Sequence, residues 1–245
     1  MATTQRFPAV DALRGLAILL MIAYHFSYDL DHFGLAQFDF SGEYFWLISR
    51  NVIVSLFLVT VGISLTLATS TGFRARPFFR RLGLLVLFAA LVTLVSYWMF
   101  SSRYIFFGIL HFIALASILG LLFLRLYWLN LILGVLLLVL GFTYQHPFFN
   151  HPMLQWVGLM TYKPPTEDYV PLLPWFGLVL IGIFAGKYFF QRQHLPALSR
   201  WKANHPFTRL LTLGGRHSLS IYMLHQPLLM GLLWVALALF GARPG

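Results

Sequence analysis

The chain has 245 residues, 59% of them hydrophobic and 10% charged, with a mean hydropathy of +0.78. A composition this apolar excludes a soluble domain and indicates an all-α, polytopic integral membrane protein in which residues 1–245 form a single domain. The formal net charge is +10 and there is no cysteine; disulfides and thiolate chemistry are excluded, and the excess of Lys and Arg reads as topological bias, not nucleic-acid binding.

About seven apolar stretches are long enough to span a bilayer, near 11–32, 44–69, 78–99, 104–124, 127–144, 171–190 and 217–241. The basic flank and apolar run at the start resemble a signal peptide, but no small-residue cleavage site follows, so the first stretch is read as an uncleaved span. With the N-terminus in the cytoplasm, thirteen Lys and Arg residues fall on the inner side and only Arg103, Lys163 and Arg243 outside, with Arg50 inside the second span. All seven acidic residues except Asp11 then lie toward the outer side.

The first stretch, DALRGLAILLMIAYHFSYDLDH, is the most informative. At about 100° per residue, Asp11, Arg14, His25, Asp29 and His32 share one arc of about 60°. At about 1.5 Å per residue, this stripe is roughly 31 Å long, close to the thickness of the hydrocarbon core. Charged groups in a spanning helix are costly, so the stripe should face protein or trapped water. Arg14 then marks an anion site at the inner edge, and His25 lies about 16 Å further along. A carboxylate at Asp29, one turn beyond, could orient the imidazole as a general base requires.

Arg50, two turns past Glu43 in the second span, needs a partner, and Asp29 or Asp31 is the expected one; a substrate-binding role is the alternative. The loop FRARPFFRR carries Arg74, Arg76, Arg80 and Arg81. It is a positive-inside loop whose guanidiniums also suit a polyphosphate. No Walker or dinucleotide glycine motif accompanies it.

His111 in GILHFIAL and His225 in RHSLSIYMLHQP fall near the same depth as His25, and Ser218, Tyr222 and His225 share a helix face. Between the fifth and sixth spans, residues 145–170 form a polar-aromatic loop whose Met153–Met160 section suits the membrane interface. It ends in TEDYVPLLPWFG, where Glu167 and Asp168 stand beside Tyr169, Trp175 and Phe176. Aromatics there are either an interfacial belt or a platform for a sugar whose hydroxyls or amine the acids take.

These features leave three functions open. A membrane acyltransferase would use His25, oriented by Asp29, to deprotonate an acceptor, with Arg14 or His225 stabilising the oxyanion; an acyl-histidine relay is its variant. A haem-binding protein would use two of His25, His111 and His225 as axial ligands. A proton-coupled transporter would use the same polar track.

DALRGLAILLMIAYHF, GILHFIAL, EDYVPLLPWFGLVLIG and HSLSIYMLHQP together resemble the heparan-α-glucosaminide N-acetyltransferase catalytic family, and Arg14-x10-His25 resembles the signature of the wider transmembrane acyltransferase superfamily. The resemblance implies acetyl-coenzyme A bound from the cytoplasm as acyl donor and acetyl delivered to a sugar or glycan on the far side. Carried onto this chain, it makes His25 the catalytic candidate and Arg14 its coenzyme-side companion. Arg80 or Arg81 would hold the coenzyme phosphates, His111 and His225 would line the acyl tunnel, and Glu167 and Asp168 would lie near the acceptor; Arg76 on the coenzyme side, and Arg50 and Trp175 on the acceptor side, are candidates from the residue pattern alone. The lysosomal member has an asparagine at the position of His25 and a histidine nearer His32, so both remain candidates for the base. The expected partners are a lipid bilayer, an acyl-coenzyme A and a sugar acceptor, with no metal, no nucleic acid and a homodimer left open. The small size, short loops and lack of cysteine point to a bacterial cytoplasmic (inner) membrane.

Overall fold

The computed structural model describes residues 6–240, and all regular structure among them is helical. In chain order the helices are α1 (Pro8–His32), α2 (Tyr44–Thr69), α3 (Ala75–Met99), α4 (Ile109–Phe123), α5 (Trp128–Thr143), α6 (Leu172–Ala185), α7 (Pro196–Arg200), α8 (Pro206–Arg216) and α9 (Ser218–Phe240). Helix α6 runs on through a π-helical turn, Gly186–Gln191. Arg243, counted above among the outer charges, lies outside the described residues.

Each expected span is helical, but five are long and apolar enough to cross a membrane: Pro8–His32, Tyr44–Thr69, Ala75–Met99, Leu172–Gln191 and Ser218–Leu239. The other two, Ile109–Phe123 and Trp128–Thr143, have 15 and 16 residues. At about 1.5 Å per residue they reach roughly 22–24 Å, short of a hydrocarbon core of about 30 Å. Large apolar side chains lie outermost on the long helices, as with Leu87, Leu94, Leu232 and Trp234, which suits lipid as the surrounding solvent.

The described residues form two compact units, one of residues 58–199 and one of 6–57 with 200–240, the boundary falling inside α2. In the second of these, α1 opens on Pro8, whose missing N–H costs nothing in a first turn. It closes where the Phe33 N–H reaches the Asp29 carbonyl and Gly34 turns to a φ of 69°. Asp31 Oδ1 accepts from the Phe38 N–H at 2.8 Å, which folds residues 33–43 back toward α2. There Trp46 gathers Tyr24, Phe38 and Phe40 around its ring. Helix α8 lies directly on the first turns of α1, where a methyl group at Gly15 would strike the Leu211 carbonyl and one at Gly215 the Asp11 carbonyl. Small residues at such crossings let two backbones meet, and the close packing is the attraction.

In the unit of residues 58–199, α5 and α6 cross at Gly134 and Gly177 in the same way, each facing the other's carbonyl. Asn130 donates to the Phe123 and Leu126 carbonyls at 3.0 and 2.6 Å and so satisfies the end of α4. The acidic loop is laid along residues 103–107: Glu167 N–H donates to the Arg103 carbonyl, Val170 N–H to the Phe107 carbonyl, and the Thr166 hydroxyl to the Tyr104 carbonyl. The section expected at the interface forms a short 3-10 helix, Pro152–Val157.

Candidate active site

Helix α1 presents His25 and, one turn on, Asp29 to the first half of α9. The His25 and His225 rings meet edge to face with centroids 4.9 Å apart. Asp29, only 1% exposed, accepts from the Gln226 amide through Oδ1 at 2.6 Å. His225 Nδ1 lies 2.6 Å from the Tyr222 carbonyl. A carbonyl can only accept, so Nδ1 carries the proton and, in the neutral ring, Nε2 holds a lone pair.

Three acceptors in this cluster are buried without a partner: His225 Nε2, Asp29 Oδ2 and Gln226 Oε1. An unmade hydrogen bond in a dry site costs about 1–3 kcal/mol. Acceptors left open within one α1–α9 contact suit a molecule with hydrogens to donate, whether water or a ligand. Tyr24 continues the site, in edge contact with both His25 and Trp46.

This arrangement changes several expectations. Asp29 does not orient His25; it is held by Gln226, which the sequence reading missed although a lone amide before Pro227 in an apolar helix is a signal that some partner must satisfy it. His32 is exposed at the end of α1 against Phe33, away from this cluster's hydrogen bonds. Arg14 donates to the Gly215 carbonyl at 3.2 Å and pairs with Asp11 at 3.4 Å, and Arg216 takes the other Asp11 oxygen at 3.4 Å. The guanidinium expected to meet an anion thus also fastens the C-terminus of α8, where free carbonyls attract a cation. Arg50, expected to be buried beside an acid, is exposed on α2 and forms no ion pair with Asp29 or Asp31, both of which have other partners.

In the other unit, His111 has both nitrogens engaged. The Gly108 N–H donates to Nδ1 at 3.2 Å, so Nε2 carries the proton and donates to the Thr93 hydroxyl at 3.1 Å, which donates to the Ile105 carbonyl at 2.6 Å. His111 is therefore a tied residue of the α3–α4 junction, not a base, although it borders an apolar groove of about 430 Å³ with Val86, Phe107 and Trp156. Asp168 caps α4 by accepting from the Ile109 N–H at 2.9 Å, and Glu167 pairs with Arg103 at 3.0 Å. Both acids expected to meet an acceptor thus have local structural work, and Trp175 is half-buried near the start of α6. Tyr169 donates to the Gln155 carbonyl at 2.6 Å, and burial pushes its phenol above the usual range.

The four arginines expected in a loop instead open a helix, with Arg74 at the N-cap of α3 and Arg76, Arg80 and Arg81 in its first two turns, and they separate. Arg74 and Arg81 border a cavity of about 160 Å³ with Thr69, Phe73, Phe78 and Ser117, while Arg76 and Arg80 are exposed outside it. The cavity is large enough for a phosphate-bearing group but not for a whole nucleotide coenzyme, since small-molecule pockets run to about 300–1,000 Å³.

Residues 6–227 match the family described as heparan-alpha-glucosaminide N-acetyltransferase, catalytic. The match takes in His25, Asp29, His225 and Gln226 and runs through both compact units. No curated protein and no solved structure matches the chain.

Proposed function

The chain belongs to the heparan-alpha-glucosaminide N-acetyltransferase catalytic family, and from that premise we propose that it is an integral membrane acetyltransferase working as one domain. Its donor is cytoplasmic acetyl-coenzyme A, and its acceptor is a hydroxyl or amino group of a sugar on the far side of a bacterial cytoplasmic membrane. The observation that carries the reading to particular residues is the histidine pair on α1 and α9 beside three unpartnered acceptors.

His225 Nε2 takes the proton of the acceptor O–H or N–H as the acceptor atom attacks the thioester carbonyl. The C–S bond then breaks, and the coenzyme thiolate leaves with the proton that His225 holds. Asp29 Oδ2 and Gln226 Oε1 receive the acceptor's remaining donors and orient it. His25, packed edge to face against the His225 ring, is the alternative proton carrier. Taken by itself, the cavity that Arg74 and Arg81 border in the unit of residues 58–199 offers charge suited to a phosphate group. The haem reading loses support in its His25–His225 form, because rings meeting at 4.9 Å leave no room for a porphyrin between them.

The test is acetyl transfer from acetyl-coenzyme A to glucosamine by detergent-purified protein, wild type beside His225→Gln and His25→Gln. Loss of about 10²–10⁴-fold in kcat for His225→Gln, with coenzyme binding retained, is the expected result. Full activity in both variants would sink the histidine-pair mechanism. Absence of coenzyme binding in folded wild-type protein would remove the acetyltransferase reading itself.

A further inference from the structure

We propose that the outer face of α8 is a docking surface for the anionic lipid headgroups of the leaflet at the N-terminal end of α1. This inference does not depend on the acetyltransferase reading. Helix α8 divides into three faces at about 100° per residue. Thr208, Leu211, Thr212 and Gly215 share the arc toward α1, where Gly15 and Asp11 meet the Leu211 and Gly215 backbones. On the far side Phe207, Leu210 and Leu213 form an apolar stripe, 50, 64 and 54% exposed. Arg209 and Arg216 stand along the edge between these faces, both exposed.

Depth and charge name the occupant. The face toward α1 meets the first two turns of a membrane-spanning helix, so α8 lies at the level where that span begins, and α9 starts two residues after α8 ends. An amphipathic helix at that level sinks its apolar face about 5–10 Å into the boundary of headgroups and acyl chains. Arg200 and Lys202 precede it, both exposed, and neither they nor Arg209 form an ion pair among the described residues. No acidic residue follows Asp168 in the sequence. Arg216 is paired with Asp11, but an apolar stripe edged by Arg209 and preceded by Arg200 and Lys202, none of them ion-paired among the described residues, is complementary to an anionic leaflet, where each basic residue near the surface contributes about 1 kcal/mol.

Because the chain has no cysteine, a single introduced thiol reports alone. Leu210→Cys on the outer face and Thr212→Cys on the face toward α1 carry a nitroxide in vesicles of phosphatidylcholine, with and without phosphatidylglycerol. The expected result is a Leu210 label reached by oxygen but shielded from a water-soluble nickel complex, with the shielded population larger in the anionic vesicles. Adding Arg209→Gln should lower the ratio of shielded to free label roughly fivefold, and Lys202→Gln as much again. An immobile Thr212 label in every sample verifies that α8 stays on α1. A Leu210 label open to nickel in both lipids overturns the proposal, as does spin–spin broadening that puts a second copy of the chain on the stripe.

Discussion

Replacing Asp29 separates its part in holding α1 to α9 from its part in chemistry. Asp29→Leu removes a buried charge-assisted hydrogen bond of 2.6 Å, worth about 1.5–3 kcal/mol. It also leaves the whole Gln226 amide without a partner, since Gln226 Oε1 already lacks one, at a further cost of about 1–3 kcal/mol. The sum, about 2.5–6 kcal/mol, corresponds to a fall in Tm of roughly 5–20 °C for a chain of this size. Asp29→Asn keeps an oxygen for the Gln226 N–H and should melt within a few degrees of wild type. It converts the open Oδ2 acceptor into a donor, however, so an acceptor's hydrogen meets a hydrogen. The expected loss is about 1.5–3 kcal/mol of transition-state binding, or roughly 10- to 150-fold in kcat/KM. Thermal unfolding in detergent and initial rates of acetyl transfer measure the two effects separately. An Asp29→Asn variant with wild-type kcat/KM would refute the catalytic half of this reasoning. An Asp29→Leu variant with wild-type Tm would refute the structural half.

The α1–α8 crossing should tolerate no side chain: Gly15→Ala or Gly215→Ala drives a methyl group into the partner's backbone and should cost about 1–3 kcal/mol, read as a lowered Tm. His111→Phe orphans the Gly108 N–H and the Thr93 hydroxyl, so it should lower Tm while kcat of the surviving folded protein stays within about threefold of wild type; a loss comparable to that of His225→Gln would return His111 to the chemistry. Tyr169→Phe tests the buried phenol, whose raised pKa means that its neutral form is the one the fold holds. Its contribution is complete below the unfolded value near about 10 and is lost as pH rises above that, so the Tm gap between wild type and Tyr169→Phe should close in alkali.

Five of the seven expected spans were legible because long runs of Leu, Val, Ile and Phe need only length to be recognised; residues 44–69 were read with the bounds α2 has. Helix α8 was not, because PFTRLLTLGGR is too short and too charged to register in a search for spans, and its signals are local. Those signals are His205 accepting from the Phe207 N–H, Pro206 in the first turn, and a closing Gly214-Gly215. Part of the polar stripe of α1 was legible from periodicity alone, since Asp29 does face α9 from the same side as His25, whereas His32 is exposed away from them. Its partners were not, because which residue satisfies Asp29 depends on how α1 and α9 register against each other. The acids of TEDYV misled for a related reason. Next to aromatics they suggest a sugar site, yet the nearest donors in space are the Ile109 N–H and the Arg103 guanidinium.

Depth placed His25, His111 and His225 together, and depth cannot separate them; the accounting of ring nitrogens can. A histidine serves as a base only if one nitrogen keeps a lone pair that no local donor occupies. At His111 a backbone N–H takes the lone pair at Nδ1 and the Nε2 proton goes to a hydroxyl, so the ring is spent on joining residues 93, 105 and 108. At His225 one backbone carbonyl fixes the proton on Nδ1 and nothing meets Nε2, although the residue is buried. A fold that only needed to satisfy a polar side chain in an apolar helix would favour the first arrangement, because leaving a buried lone pair open costs stability. The second makes sense when a substrate completes the hydrogen bond. On this ground His225, read from sequence as tunnel lining, oxyanion support or a haem ligand but not as the base, is proposed ahead of His32 and beside His25 as the residue whose loss should stop the reaction.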